Sequence, residues 1–144
     1  MKDPAARLKA IGRPLLMLVT EPVPGLPAIV SRAVRGGVDI VHWRVKNATA
    51  DAGDMDPATL ADLIPTASAL WLAAGDALLI VNGPAWLASA ASADGRHLPE
   101  DNDDDELGDG IVGRSVHSSD AAQTAIARLI IPAAPQMIHA KLRR

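Results

Sequence analysis

The sequence predicts an α/β protein with a mostly parallel sheet, and three observations lead to that prediction. Short apolar runs alternate with segments in which apolar residues recur at helical spacing, a pattern typical of βαβ units. The chain has 144 residues, of which 49% are hydrophobic, and a formal net charge of −3, which favours one packed domain over a disordered chain. Aromatic residues make up only 2%, so aliphatic side chains must fill the core.

Composition and charge exclude several classes of protein. The chain has no cysteine, which excludes a disulfide framework, a thiolate nucleophile and a zinc–thiolate site. The small net charge argues against binding nucleic acid through bulk charge. No N-terminal apolar signal core is present, and no run approaches the ~20 apolar residues that cross a bilayer. We therefore expect a cytoplasmic protein with no nucleic-acid and no membrane partner.

The first part of the chain predicts two strands joined by a helix. Residues 15–20 form a continuous apolar run, as expected for a strand buried on both faces. Apolar residues then recur at helical spacing from Leu26 to Val34, and Gly36 marks the end of that helix. The second strand is predicted over residues 38–46.

The middle of the chain predicts a long helix followed by shorter elements. Asp56 before Pro57 is typical of an N-cap with proline in the first turn. Pro65 is expected to kink this helix, and Gly75 is expected to end it. The remaining elements are a third strand, a short Ala-rich helix and a fourth strand, over residues 77–81, 84–91 and 95–98.

The last predicted βα unit is a strand over residues 111–116 and a helix capped by Ser118 or Ser119. No sixth unit is evident in the sequence that follows. We therefore predict a domain over residues 1–128 and a C-terminal tail over residues 129–144. The acidic run between residues 100 and 109 is interpreted as a solvated loop rather than a metal site, because charges in such runs usually stay in water.

Three basic side chains share one face of the second strand. His42, Arg44 and Lys46 alternate with apolar residues, and the period-two geometry of a strand puts them on the same side. Such groups repel one another unless an anion lies between them, and phosphate suits both a guanidinium fork and an ammonium. A strand end that simply leaves its charges in water explains the pattern equally well.

Other polar side chains fall where predicted strands end. Asn82, followed by Gly83, ends the third strand, and its amide can donate and accept hydrogen bonds. His117 follows the fifth strand with hydroxyls on both sides, where an imidazole can move a proton. A lone histidine is more often structural, and Asn-Gly is also an ordinary turn. The shared position at carboxyl ends of strands, where α/β folds place their sites, favours function.

Five segments, in this order and spacing, resemble the thiamine phosphate synthase and TenI family of (β/α)8 barrels. They are LLMLVT, GGVDIVHWRVKN, LLIVNG, ADGRHL and GRSVHSSDAA. The resemblance runs from about residue 15 to residue 125 and implies a partial TIM-type barrel, with about five βα units present and strands six to eight missing. We therefore expect a C-terminally truncated member. The resemblance places six residues at or beside the active-site mouth: His42, Arg44, Lys46, Asn82, Ser115 and His117.

The two branches of the family differ at positions visible in this sequence. In the synthase branch, which joins hydroxymethylpyrimidine diphosphate to thiazole phosphate, aspartates after strands three and four hold Mg²⁺. Here those positions are Gly83 and Asn102, which lack the carboxylates that attract the ion. A glutamine usual in strand two is His42 here. The TenI branch is more similar, with Asn-Gly after strand three, His-x-Arg on strand two and GRSVHS on strand five.

The resemblance to TenI implies a thiazole tautomerase, which isomerises a carboxythiazole phosphate to its aromatic tautomer. In that reading His117 is the proton-transfer group, the ligand is a small-molecule thiazole phosphate, and no metal or cofactor takes part. Mg²⁺ is implied only by the synthase alternative. Open barrel edges further suggest a homodimer. The tautomerase, the synthase and an inactive remnant or ligand-binding module all stay open at this point.

Overall fold

A computed structural model describes residues 3–99, 110–128 and 136–140 of the chain. Its strands form one parallel sheet in sequential order. The strands are β1 (Met17–Val19), β2 (Ile40–Arg44), β3 (Leu78–Asn82), β4 (Gly95–Leu98), β5 (Ile111–Val116) and β6 (Gln136–Ala140). The helices are α1 (Pro4–Ala10), α2 (Leu26–Arg35), α3 (Pro57–Ala74), α4 (Ala85–Ala90) and α5 (Ser119–Arg128), with a 3₁₀ turn over Ala52–Asp54.

The sheet is a half-barrel with apolar side chains on both faces. On its convex side, Val41 and Trp43 of β2 belong to a large core that includes Leu70 of α3. On its concave side, a smaller cluster of Ile40, Leu78, Ile80 and Ile111 lies near the amino-terminal ends of the strands. Strands that are buried on both faces read as continuous apolar runs, and the α/β half-barrel predicted from them is confirmed.

The structure contradicts the prediction that no sixth strand follows residue 128. β6 pairs in parallel with β5 over five residue pairs, from Val112 opposite Gln136 to Val116 opposite Ala140. It lies within the predicted tail, residues 129–144, so the described part of that tail belongs to the sheet. The sequence did not predict β6 because Pro135 directly precedes it and polar residues interrupt its short apolar run.

β1 also departs from its prediction. It covers three residues rather than six, and it is not buried on both faces, since Met17 is 39% and Val19 47% exposed. β1 is an edge strand that pairs only with β2 among the described strands. Its alternate side chains face the open concave side, so an apolar run is not sufficient evidence of burial at a sheet edge.

The long helix begins where the sequence predicted. The Asp56 carboxylate accepts a hydrogen bond from the Thr59 N–H at 3.0 Å, as an N-cap does. Because this bond favours the charged carboxylate, the pKa of Asp56 lies below its usual value. α3 continues through Pro65 to Ala74, and Gly75 follows it with a φ of 53°. No described helix has the length and apolar character needed to span a membrane.

Two residues of α1, Arg7 and Leu8, close the amino-terminal end of the sheet. Leu8 of α1 packs against the concave cluster, and Arg7 donates to the Asp76 carbonyl and forms an ion pair with Asp94 at 3.5 Å. Asp94 in turn accepts the Leu79 N–H at 2.8 Å. These contacts leave the opposite, carboxyl end of the strands as the accessible mouth of the half-barrel.

Asp39, just before β2, links the start of that strand to the segment before β1 through hydrogen bonds. Its carboxylate accepts two hydrogen bonds from the Arg13 guanidinium, each 2.8 Å long, and one from the Leu16 N–H at 2.9 Å. All three bonds favour the charged carboxylate, with the Arg13 hydrogen bonds the largest cause. They hold the pKa of Asp39 below its usual value.

Candidate functional site

The sheet register brings several predicted site residues to the concave face at the mouth. Ile40 belongs to the concave cluster, so His42 and Arg44, two and four residues further along β2, face the same side. Arg44 is paired with Asn82 across β2 and β3. Ser115 has the parity of Ile111 on β5 and therefore also faces the concave side. The structure thus gathers these four residues on the concave face of β2, β3 and β5, with β4 between the last two strands.

The centre of this face is a cluster of two imidazoles and a hydroxyl. The ring centroids of His42 and His97 lie 4.7 Å apart with an interplanar angle of 59°. His97 Nε2 and Ser115 Oγ lie 2.8 Å apart, a hydrogen bond. His42 is 7% and His97 5% exposed. Buried imidazoles beside a hydroxyl form an arrangement that can bind a polar ring and move a proton.

His97 is a site residue that the sequence analysis did not select. It lies on β4, which has only four residues, too few for alternation to show which side chains face inward. The available signal was its place one residue before the end of the ADGRHL segment and two residues after Gly95. Only the pairing of His97 with Gly113 across β4 and β5 shows that it belongs to the concave face.

The three basic residues of β2 are not equivalent in the structure. His42 is buried, Arg44 is half-buried and Lys46 is exposed beyond the end of the strand. Arg44 Nη1 forms an ion pair with Glu21 Oε1 at 3.1 Å, a carboxylate partner that the sequence did not reveal. Arg44 and Lys46 line a groove of about 620 Å³ at the end of β2, between the loop before α2 and the helix α3 on the convex side.

A second groove, of about 320 Å³, lies at the ends of β3 and β4. Asn82 and His97 line it, together with the loop that follows β2. Trp86 Nε1 donates a hydrogen bond to the Thr49 carbonyl at 2.9 Å, and this bond ties that loop to α4. The first groove therefore carries Arg44 and Lys46, and the second carries Asn82, His97 and Arg96.

His117 directly follows β5, and its side chain is exposed. Its parity with Ser115 places it at the outer rim of the concave mouth.

Within the described residues no three His, Asp or Glu side chains are grouped so as to hold a metal ion. Asn102 and the acidic run between residues 100 and 109 lie outside the described residues, so the predicted absence of a metal and the solvated-loop interpretation stay predictions.

A parallel half-barrel with helices on its convex face, and with polar side chains gathered where the strands end, defines the class of (β/α)-barrel proteins. Within that class, the family model described as thiamine monophosphate synthase matches residues 16–129. The chain belongs to this thiamine monophosphate synthase family. The resemblance drawn from the sequence segments is thereby confirmed, while the branch of the family is not distinguished.

Two curated relatives are thiamine-phosphate synthases. One, from Natronomonas pharaonis, is 41% identical over 103 residues, covering 67% of this chain and 44% of its own length. The other, from Parasynechococcus marenigrum, is 36% identical over 113 residues, covering 72% of this chain and 29% of its own length. The chain thus matches less than half the length of either relative.

A solved structure shares the fold. The thiamine phosphate pyrophosphorylase from Pyrococcus furiosus superposes with a TM-score of 0.66 at 21% sequence identity, and the match covers 88% of this chain and 58% of that one. At this identity the likeness is evidence of the fold alone. It agrees with the half-barrel arrangement of the strands.

Proposed function

We propose that this chain is a thiamine-biosynthesis enzyme that isomerises a carboxythiazole phosphate to its aromatic tautomer. The observation that carries the proposal is the buried cluster of His42, His97 and Ser115 at the carboxyl ends of the strands. The isomerisation removes one proton from the ring and delivers another, with no leaving group. Imidazoles suit that chemistry, and Gly83 offers no carboxylate for the Mg²⁺ that a diphosphate substrate needs.

In this proposal His117 is the proton-transfer group, because its imidazole is exposed at the rim, where a ligand enters. The cluster of His42, His97 and Ser115 binds the polar ring of the ligand. Arg44 and Lys46 hold the ligand's phosphate or carboxylate, and Asn82 donates or accepts a hydrogen bond in the second groove. The Arg44–Glu21 ion pair is compatible with this role. Its side chains are 41% and 59% exposed, and exposed ion pairs contribute little net stability, so an anionic ligand can displace Glu21.

The test is conversion of carboxythiazole phosphate by the purified chain, followed by NMR. We expect His117→Ala to slow conversion by on the order of 100-fold or more, the usual contribution of a general acid–base group. His117→Gln is the matched variant, because it keeps a polar side chain but cannot titrate. A His117→Ala protein that works at the wild-type rate excludes the assigned role, and so does rescue by His117→Gln.

The names of the relatives favour a second candidate, a thiamine phosphate synthase. Both curated relatives are thiamine-phosphate synthases, and this reaction joins hydroxymethylpyrimidine diphosphate to thiazole phosphate with release of pyrophosphate. The acidic residues between 100 and 109 are the chain's source of further carboxylates for Mg²⁺. Mg²⁺-dependent pyrophosphate release from the two substrates decides for the synthase, and its absence in a protein that isomerises the thiazole decides against it.

A third candidate is a ligand-binding module or inactive remnant of the family. The two grooves at the carboxyl ends of the strands can hold a small ligand whether or not turnover follows. Calorimetry with thiazole phosphate separates it from the enzymes. Saturable binding with neither isomerisation nor pyrophosphate release is its signature, whereas turnover of either kind excludes it.

A further inference from the structure

We propose that Gly113 is a positioning residue of this site. Because it has no side chain, it leaves a space above the strand, here called the seat, in which the His97 imidazole packs and contacts Ser115. The geometric part of the proposal depends only on the structure. Its catalytic consequence rests on the proposed function, because a seated imidazole matters to turnover only if the concave cluster acts on a ligand.

The seat is visible in the space above Gly113. Gly113 lies directly opposite His97 in the register of β4 and β5. A Cβ atom added to Gly113 would overlap Nδ1 of His97 and would lie 3.3 Å from both Cγ and Cε1 of the ring. The imidazole therefore occupies the volume that any other side chain at position 113 would need.

Gly113 is required for space and not for backbone conformation. The described glycines with positive φ are Gly25, Gly37 and Gly75, so the backbone of Gly113 is one that other residues adopt without strain. Only the absence of a side chain distinguishes glycine at this position. What Gly113 provides is the open surface on which the ring of His97 lies.

His97 is confined on its other sides as well. Its Nε2 is 2.8 Å from Ser115 Oγ, the ring of His42 lies 4.7 Å away, and only 5% of the residue is exposed. A side chain at position 113 would push the ring away from the strand, and that displacement breaks the contact with Ser115. Ser115, which the family resemblance places at or beside the active-site mouth, acts in this arrangement through His97.

The neighbouring glycine on β4 shows the contrast. A Cβ atom on Gly95 would overlap the backbone carbonyl of Ile111, so a side chain there would separate β4 from β5. Gly95 is therefore explained by the close approach of two strands. Gly113 is different, because the nearest atoms to its added Cβ belong to one side chain, that of His97.

The first test observes the ring directly in the full chain labelled with ¹⁵N-histidine. We expect the His97 ring-nitrogen signals to change in Gly113→Ala and in Ser115→Ala. The matched control is Gly83→Ala, whose added Cβ meets only ordinary contacts, with Val81 at 3.5 Å and with Leu87 at 3.6 Å, and it should leave those signals in place. Unchanged His97 signals in Gly113→Ala overturn the proposal.

A double-mutant cycle covers the case in which Gly113→Ala fails to fold. Removing the ring with His97→Ala frees the space, so Gly113→Ala/His97→Ala should fold and melt like His97→Ala alone. Coupling of this kind is expected between residues in direct contact. If Gly113→Ala lowers the melting temperature equally with and without the His97 ring, the seat is not the reason for glycine.

A third test measures whether the position of the His97 ring affects turnover. In a chain that isomerises the thiazole, Gly113→Ala should lower kcat/KM on the order of 100-fold, as a displacement of about 1 Å can. Ser115→Ala should then add no further loss in the Gly113→Ala background, and independent losses overturn the positioning role. If the wild-type chain shows no turnover, the proposed function fails, and the ring signals and the cycle still decide on Gly113.

Discussion

Replacing Glu21 with glutamine should strengthen the binding of an anionic ligand at the mouth. Glu21 Oε1 lies 3.1 Å from Arg44 Nη1, and the two side chains are 59% and 41% exposed. A pair this exposed is worth about 0.2–1 kcal/mol, and a ligand that takes the guanidinium must overcome that amount. Glu21→Gln should therefore tighten binding about 1.4-fold to 5-fold, since about 1.4 kcal/mol corresponds to a tenfold change.

Calorimetry with thiazole phosphate measures this gain. The gain should shrink at high salt, because ions screen exposed charges. Arg44→Ala should weaken binding, and Glu21→Gln should then have no effect in the Arg44→Ala background. Two results would refute the idea that Glu21 competes with the ligand for Arg44. One is weaker ligand binding by Glu21→Gln, and the other is an equal gain in affinity when the Arg44 side chain is absent.

Three further predictions concern stability, the loop and assembly. Because the folded pKa of Asp39 is low, its contribution to the free energy of unfolding is fully present above its unfolded pKa, near 3.8, and is lost as the pH falls through the folded pKa. Arg13→Ala should make the melting temperature fall less steeply at acid pH. An acid profile identical to that of the wild type contradicts this prediction. Trp86→Phe removes the hydrogen bond to the Thr49 carbonyl, so the free energy of unfolding should fall by about 1 kcal/mol. Calorimetry should also show weaker binding of the ligand. Wild-type values for both would contradict the role given to the loop. The predicted homodimer should scatter light as twice the 15.0 kDa chain, and a single-chain mass at every concentration contradicts it.

The sequence predicted the inner strands well for a physical reason. β4 and β5 have the predicted bounds, and β2 and β3 differ from theirs by one or two residues at each end. Of these strands β3 is apolar from Leu78 to Val81, as expected for a strand covered on both faces. α1 gave no comparable signal. It has seven residues and is held by contacts of Arg7 and Leu8 with residues far along the chain, and local sequence does not show such contacts.

The candidate site divides in the same way. That His42 and Arg44 share a face follows from the period of two within one strand, which a sequence displays. The contact of His97 with Ser115 depends on the register between two strands and on the empty space above Gly113. Neither is a property of a single segment, so the buried centre of the site emerged only from the fold.

The isomerisation of carboxythiazole phosphate in D₂O tests the central claim most directly. Proton transfer through imidazoles that exchange with solvent predicts a product that carries deuterium at the newly protonated position, formed by the wild-type chain and not by His117→Ala. A folded wild-type chain that binds the thiazole and leaves it unconverted would contradict the account.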